Sequence, residues 1–170
     1  MNYYVGHPLQ TRGAEQYVLK GGKGEGMNFI YARTGLGLEI WISVDRCADV
    51  SRVNFNGKNM SYTSPCGQVA PSYYDRTGLN FLKSFNAGFF TTCGLTAVGN
   101  PCTDAGEELP LHGTISNTPC ENFCHFVADD GIGIIAELHF IVGAIFQDVM
   151  IHKVSDIVGA VERFFWDVKR

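Results

Sequence analysis

The most informative chemical signal lies in Leu109-Pro110-Leu111-His112-Gly113-Thr114. A histidine titrates near neutrality, so His112 can donate or accept a proton or a hydrogen bond at an oxygen. The pattern places it at the start of a strand, and the glycine after it lets backbone or ligand approach closely. The competing reading is a histidine that caps a turn. Asp45-Arg46 directly follows an alternating run, and a strand end sets side chains at the rim of a sheet, where pockets form. An ordinary surface ion pair would look the same. The third signal is Phe81-Leu82-Lys83-Ser84-Phe85-Asn86-Ala87-Gly88-Phe89-Phe90, a lysine among ring faces. Rings more often belong to a core, but a ring beside a polar donor is also what a pyranose platform needs.

Other arrangements point to less. Cys120-x3-Cys124-His125 has loosely metal-like spacing, yet no second pair stands at a conventional distance, so no metal is expected. His7, His125, His139 and His152 have no companion at ligand spacing on one strand face and read as structural or surface residues. The run Gly21-Gly22-Lys23-Gly24-Glu25-Gly26 lacks the Gly-Lys-Ser/Thr ending of a phosphate loop and opens no helix, which leaves a strand connection. No Gly-x-Ser-x-Gly elbow is present, and no cofactor motif stands out, so none is expected.

The elements that must position these residues are strands. Leu38, Ile40, Ile42 and Val44 fall on one face of an alternating run, with Glu39, Trp41 and Ser43 on the other. Val53 to Phe55 leads through Asn56-Gly57, a favoured hairpin turn, into Met60 to Thr63. A second hairpin is expected at Asp130-Gly131, between Cys124 to Ala128 and a long strand in which Ile132, Ile134, Ala136, Leu138, Phe140 and Val142 share a face. Val149 to Val154 and Val161 to Val168 read as further strands, while Ser72 to Tyr74 and Gly78 to Ser84 carry at most a turn or two of helix. An all-β, antiparallel sandwich or barrel follows.

The chain has 170 residues, 45% hydrophobic and 18% charged, with no linker or repeat, and reads as one domain over 1–170. A net charge of −4 without a dense Lys/Arg stripe argues against nucleic acid as a partner. The start lacks a signal peptide, and the apolar stretch Ile132 to Phe146 is interrupted by Glu137 and His139, so neither export nor a membrane span is expected. A cytoplasmic protein whose six irregularly spaced cysteines are reduced is the corresponding expectation.

Taken in order, Gly35-Leu36-Gly37-Leu38-Glu39-Ile40, Asp45-Arg46-Cys47-Ala48-Asp49, Ser64-Pro65-Cys66-Gly67, Phe85-Asn86-Ala87-Gly88-Phe89, Thr91-Thr92-Cys93-Gly94-Leu95 and Leu109-Pro110-Leu111-His112-Gly113 resemble the DUF4432 family. This is a branch of the galactose mutarotase-like, aldose 1-epimerase-like superfamily. The resemblance runs from about Val5 to about Pro119, and Phe146 to Val154 is similar to the family's next strands. It implies an antiparallel β-sandwich forming part of a supersandwich, with a small-molecule sugar in a cleft on one sheet. His112 would then lie near the sugar as a catalytic group, with Asp45, Arg46, Lys83 and Phe85 as substrate-binding residues.

Interconversion of sugar anomers needs a base for the anomeric hydroxyl proton and an acid for the ring oxygen, and no cofactor. In epimerases this pair is a histidine and a glutamate located after the Leu-His-Gly motif, and the resemblance implies a chain truncated before them. The expectation is therefore an epimerase-like, sugar-handling protein. The alternative is a catalytically inactive carbohydrate-binding or dimer-forming structural protein. Unpaired strand edges and an uncovered apolar face in such a half-sandwich would favour homo-oligomers.

Overall fold

A computed structural model describes residues 4–127, 131–142, 147–158 and 161–169, the strand residues beyond Leu138 by their backbone. Two antiparallel sheets dominate it. The first is a meander of β1 (Gly13–Val18), β2 (Asn28–Arg33), β3 (Leu38–Ser43), β4 (Asp49–Phe55) and β5 (Lys58–Asn59), paired in that order. Two small ribbons follow, β6 (Tyr62–Thr63) with β7 (Ala87–Gly88) and β8 (Cys102–Asp104) with β9 (Glu107–Leu109). The second large sheet orders β10 (Asn122–Val127), β11 (Gly131–Val142), β12 (Gln147–Val158) and β13 (Val161–Lys169).

The alternation expected on β3 and β11 is what joins these sheets. Ile40 and Ile42 on β3, with Ile30 and Ala32 on β2 and Val50 and Val53 on β4, share one buried cluster with Ile132, Ile134, Ala136 and Leu138 of β11. None of those four β11 side chains is more than 2% exposed. Each large aliphatic side chain withdrawn this way contributes about 1.5–3 kcal/mol. The period of two thus closes the sandwich and leaves the alternate residues, among them Glu39, Trp41 and Glu137, on the faces turned away from the core.

Asn56 (φ 49°) and Gly57 (φ 76°) form the expected two-residue turn, both left-handed, with Phe55 opposite Lys58. The returning strand is shorter than the sequence suggests. Asn59 bonds Ser61 locally, its Oδ1 accepting from Ser61 N at 3.1 Å and its Nδ2 donating to Ser61 O at 2.7 Å. This local turn diverts the chain. Tyr62 and Thr63 consequently pair with Gly88 and Ala87 instead of continuing along β4. At the second hairpin β10 and β11 pair with Val127 opposite Ile132, while Asp130 lies outside the described residues. The helical fragments are single 3-10 turns, including Pro71–Tyr73 and Asn80–Lys83. Among the described residues no helix is long and apolar enough to cross a membrane.

The outer face of the first sheet is aromatic and ionic. The Tyr31 and Trp41 rings lie 4.7 Å apart at a tilt of 33°, the Arg52 guanidinium lies 5.2 Å from the Trp41 ring, and Tyr31 Oη donates to Glu39 Oε1 at 2.8 Å. Tyr17 stacks on Phe29 at 5.5 Å. Burial is the first cause that raises the pKa of both Tyr17 and Tyr31, with the hydrogen bond to Glu39 adding to it for Tyr31. A raised pKa means that the native state retains phenolic protons that the unfolded chain releases above about 10. The stability this gives is therefore complete below that pH and lost as pH rises through the native values. Chemical denaturation followed at stepped alkaline pH should show a midpoint that falls above this point, with a shallower fall in Tyr31→Phe. An identical pH slope in the variant would contradict this account.

Candidate functional site

The link between β3 and β4 is a buried reverse turn. Asp49 N donates to Arg46 O at 2.9 Å across Cys47 (φ 55°) and Ala48 (φ 49°), both left-handed without being glycine. Arg46 is 1% exposed, so Asp45-Arg46 is no surface ion pair. Its Nη1 donates to Val69 O at 3.0 Å and Ser84 O at 3.1 Å, while Nη2 is buried without a hydrogen-bond partner. Burial lowers the Arg46 pKa, and the charge of Asp49 works against that. Asp49 in turn accepts from Thr92 N at 2.8 Å and from the Thr92 hydroxyl. Asp45 faces another way. Its carboxylate accepts from Asn28 N and, at 3.2 and 3.3 Å, from Asn28 Nδ2, beside a cavity of about 250 Å³ that Met27, Ser72 and Pro119 help to line.

Arg46 thereby holds the carbonyl that follows the 3-10 turn Asn80–Lys83. That turn sends Phe81 inward, at 3% exposed, and leaves Lys83 exposed. Around the Phe81 ring stand Phe85 at 5.2 Å, His112 at 6.0 Å and Tyr74 at 6.2 Å, the last two edge-on. Lys83 carries positive charge toward Asp75, whose pKa is lowered first by the backbone N–H of Thr77 and only lastly by that lysine. Of the residues singled out in the sequence, His112 and Phe85 thus meet on one ring, Lys83 lies on the same short turn, Arg46 supports it from the core, and Asp45 bonds elsewhere.

His112 is not at the start of a strand. β9 ends at Leu109, and residues 110–113 form a turn in which Gly113 N donates to Pro110 O at 3.1 Å and His112 has φ 58°. The conformation is imposed by a backbone frame. His112 N donates to Gly99 O at 3.0 Å, Gly94 N donates to His112 O at 3.1 Å, and Gly99 N donates to His112 Nδ1 at 3.2 Å. With Nδ1 accepting, the neutral ring carries its proton on Nε2, the nitrogen left to donate to a ligand. Gly99 and Tyr74, whose Oη donates to Gly113 O at 3.5 Å, escaped the sequence reading. Neither carries a local motif, and both act through a fold that brings distant segments together. Burial raises the Tyr74 pKa, so it stays a donor at neutral pH.

A polar cavity of about 460 Å³ adjoins this turn at Pro110, between Arg76, Thr77, Cys102, Thr103 and Glu108. Arg76 Nη2 donates to Glu108 O at 2.8 Å and so fastens the β8–β9 ribbon beside it. Among the residues whose side chains are described, no group of three or more His, Cys, Asp or Glu gathers as a metal site.

Residues 24–142 match the family described as "Domain of unknown function (DUF4432)". No curated protein matches the chain. Among solved structures, one titled a putative aldose 1-epimerase from Klebsiella pneumoniae subsp. pneumoniae MGH 78578 superposes with a TM-score of 0.77 at 29% identity, over 91% of this chain and 42% of that one. Galactose 1-epimerase from Lactobacillus acidophilus NCFM superposes with a TM-score of 0.60 at 14% identity, over 92% of this chain and 48% of that one, which speaks for the fold. The chain therefore spans less than half the length of either.

Gly113 is the position where this arrangement tolerates least change. Its φ is +75°, and a Cβ there would come within 2.7 Å of Gly94 O and 3.2 Å of Ala97 O, both backbone atoms. Gly113→Ala should destabilise the chain by more than about 1 kcal/mol in urea titration and displace the His112 ring signals. An unchanged midpoint together with unchanged His112 signals would contradict the geometry described.

Proposed function

The chain belongs to the DUF4432 family, and we propose that it handles a carbohydrate, with His112 as a hydrogen-bond donor at the sugar. The observation that carries this reading is the hydrogen bond from Gly99 N to His112 Nδ1, because it leaves the Nε2 proton as the group available to a ligand oxygen. Phe85, packed on the buried Phe81 ring that also meets His112, supplies ring surface as a pyranose requires, and Lys83 on the same short turn is an ammonium for a hydroxyl. Arg46 serves the same site from behind, through the Ser84 carbonyl, and Asp45 shapes its end of the β3–β4 turn through Asn28. The likeness to a structure titled as an aldose 1-epimerase supports an aldose as the substrate class.

In the chemistry proposed, the neutral His112 ring holds the sugar through a hydrogen bond from Nε2–H to an oxygen, while a separate acid protonates the ring oxygen and a base takes the anomeric hydroxyl proton. The ring C–O bond breaks, the free aldehyde rotates, and closure on its other face returns both protons and gives the other anomer. A fixed hydrogen-bond donor at a reacting oxygen contributes about 10²–10³-fold. Neither the acid nor the base is assigned within the described residues.

Exchange NMR on a panel of aldoses, with the chain beside its His112→Ala variant, tests the reading. Anomer exchange faster than in buffer should fall by about 100-fold or more in the variant. Shifts around His112 without exchange would leave binding and remove the catalytic role. No response of either kind to any aldose would contradict the reading as a whole.

A further inference from the structure

The outer face of the first sheet carries a charge pattern that spacing along the chain conceals. The register sets Glu15 opposite Tyr31, Tyr31 opposite Trp41 and Trp41 opposite Arg52, one transverse row across β1 to β4. Two residues along, Arg33 stands opposite Glu39. Their chain neighbours Ala14, Ala32, Ile40 and Val53 are buried in the core, so these six side chains belong to the face turned away from it. Glu15 and Arg52 are exposed, and Tyr31, Arg33, Glu39 and Trp41 are half-buried. The four charges therefore alternate in sign from strand to strand: negative on β1, positive on β2, negative on β3 and positive on β4.

We propose that this face docks on the same face of a second copy of the chain, about a two-fold axis running along the strands between β2 and β3. Such an axis keeps a residue's height along the strand and reverses the order of the strands across it, so β1 meets β4 of the other copy and β2 meets β3. Glu15 then faces Arg52 of the second copy, and Arg52 faces its Glu15. Arg33 and Glu39 exchange in the same way. Every acid meets a base, which is the self-complementarity that a closed two-fold interface requires. An axis laid across the strands would set each strand on itself and like charges together. At the centre the Tyr31 ring meets Trp41 of the second copy, and aromatic and arginine side chains are the types that interface cores favour.

The contacts these groups already make within the chain hold them ready for that use. Arg33 is anchored by a bond from Nη2 to Leu9 O and approaches Glu15 only to 3.9 Å. Arg52 meets the Trp41 ring through its guanidinium face, which directs its N–H donors sideways. Glu39 accepts from Tyr31 Oη at 2.8 Å and from Asn54 Nδ2 at 3.5 Å, and a carboxylate has lone pairs for a further donor. The patch spans three strand spacings, about 14 Å, so the pair is a reversible dimer and not an obligate one. It uses no residue of the His112 turn, and its failure would leave the carbohydrate reading untouched.

Sedimentation velocity of the full chain, from low micromolar to several hundred micromolar, tests this. A reversible monomer–dimer equilibrium that weakens as salt is raised is the expected result. Each of Glu15→Arg and Arg52→Glu places two like-charge pairs across the axis and should weaken the dimer by about 10-fold or more. The double variant exchanges the charges and should recover most of the lost affinity, a rescue that only an encounter between Glu15 and Arg52 of different copies produces. His112→Ala should dimerise as the unaltered chain does. A chain that stays monomeric throughout would overturn the proposal. So would a dimer indifferent to both single substitutions, which would place association at the strand edges, or a double variant no tighter than either single one.

Discussion

A single buried guanidinium holds the irregular half of this molecule to its sheet. Arg46 is 1% exposed, and an ion so placed is tolerated only where its hydrogens and charge find partners. It gives Nη1 to the carbonyls of Val69 and Ser84, and the nearby charge of Asp49 favours its ionised form. Asp49 is itself clasped by Thr92. Three positions far apart in the connecting segment are thus tied to one short turn between β3 and β4. Without those ties, nothing in the local sequence would hold a 3-10 turn such as Asn80–Lys83 in place, since a single turn is not stable by itself.

The second constraint is backbone strain, and it falls in the same region. Cys47, Ala48, Ala87, Leu95 and His112 all have positive φ without being glycine. Such residues persist when surrounding structure over-determines them, at a cost of about 1–3 kcal/mol each. For His112 the compensating contacts are a hydrogen bond from its N–H to Gly99 O, one accepted by its C=O from Gly94 N, a third into its ring from Gly99 N, and an edge-on contact with the Phe81 ring. A histidine needed only for packing does not require that its tautomer be set. The strain is intelligible if the orientation of Nε2 is what matters.

How much of this could be read from the chain alone depended on the range of the interaction. The β3 and β11 faces were legible because side-chain alternation is local, and the Asn56-Gly57 turn because its chemistry lies in two residues. The exchange of partners after Asn59 was not, because the competing bond from Asn59 to Ser61 and the pairing of Tyr62 with Gly88 span different distances along the chain. His112 was recognised as a chemical residue, but its turn, its frame from Gly94 and Gly99, and its ring neighbour Phe81 depend on contacts that no window contains. Asp45 and Arg46 stood adjacent in sequence and proved to serve different surroundings, one bonded to Asn28 and the other buried under Ser84.

The claim on which the site rests is that the fold, rather than a ligand, sets the proton on His112. Proton–nitrogen correlation NMR of the nitrogen-labelled chain at a pH where the ring is neutral reads this directly. The account predicts a protonated Nε2 and a bare Nδ1 that accepts from the Gly99 amide, in the absence of any sugar. A neutral ring carrying its proton on Nδ1, or one exchanging freely between the two forms, would contradict it.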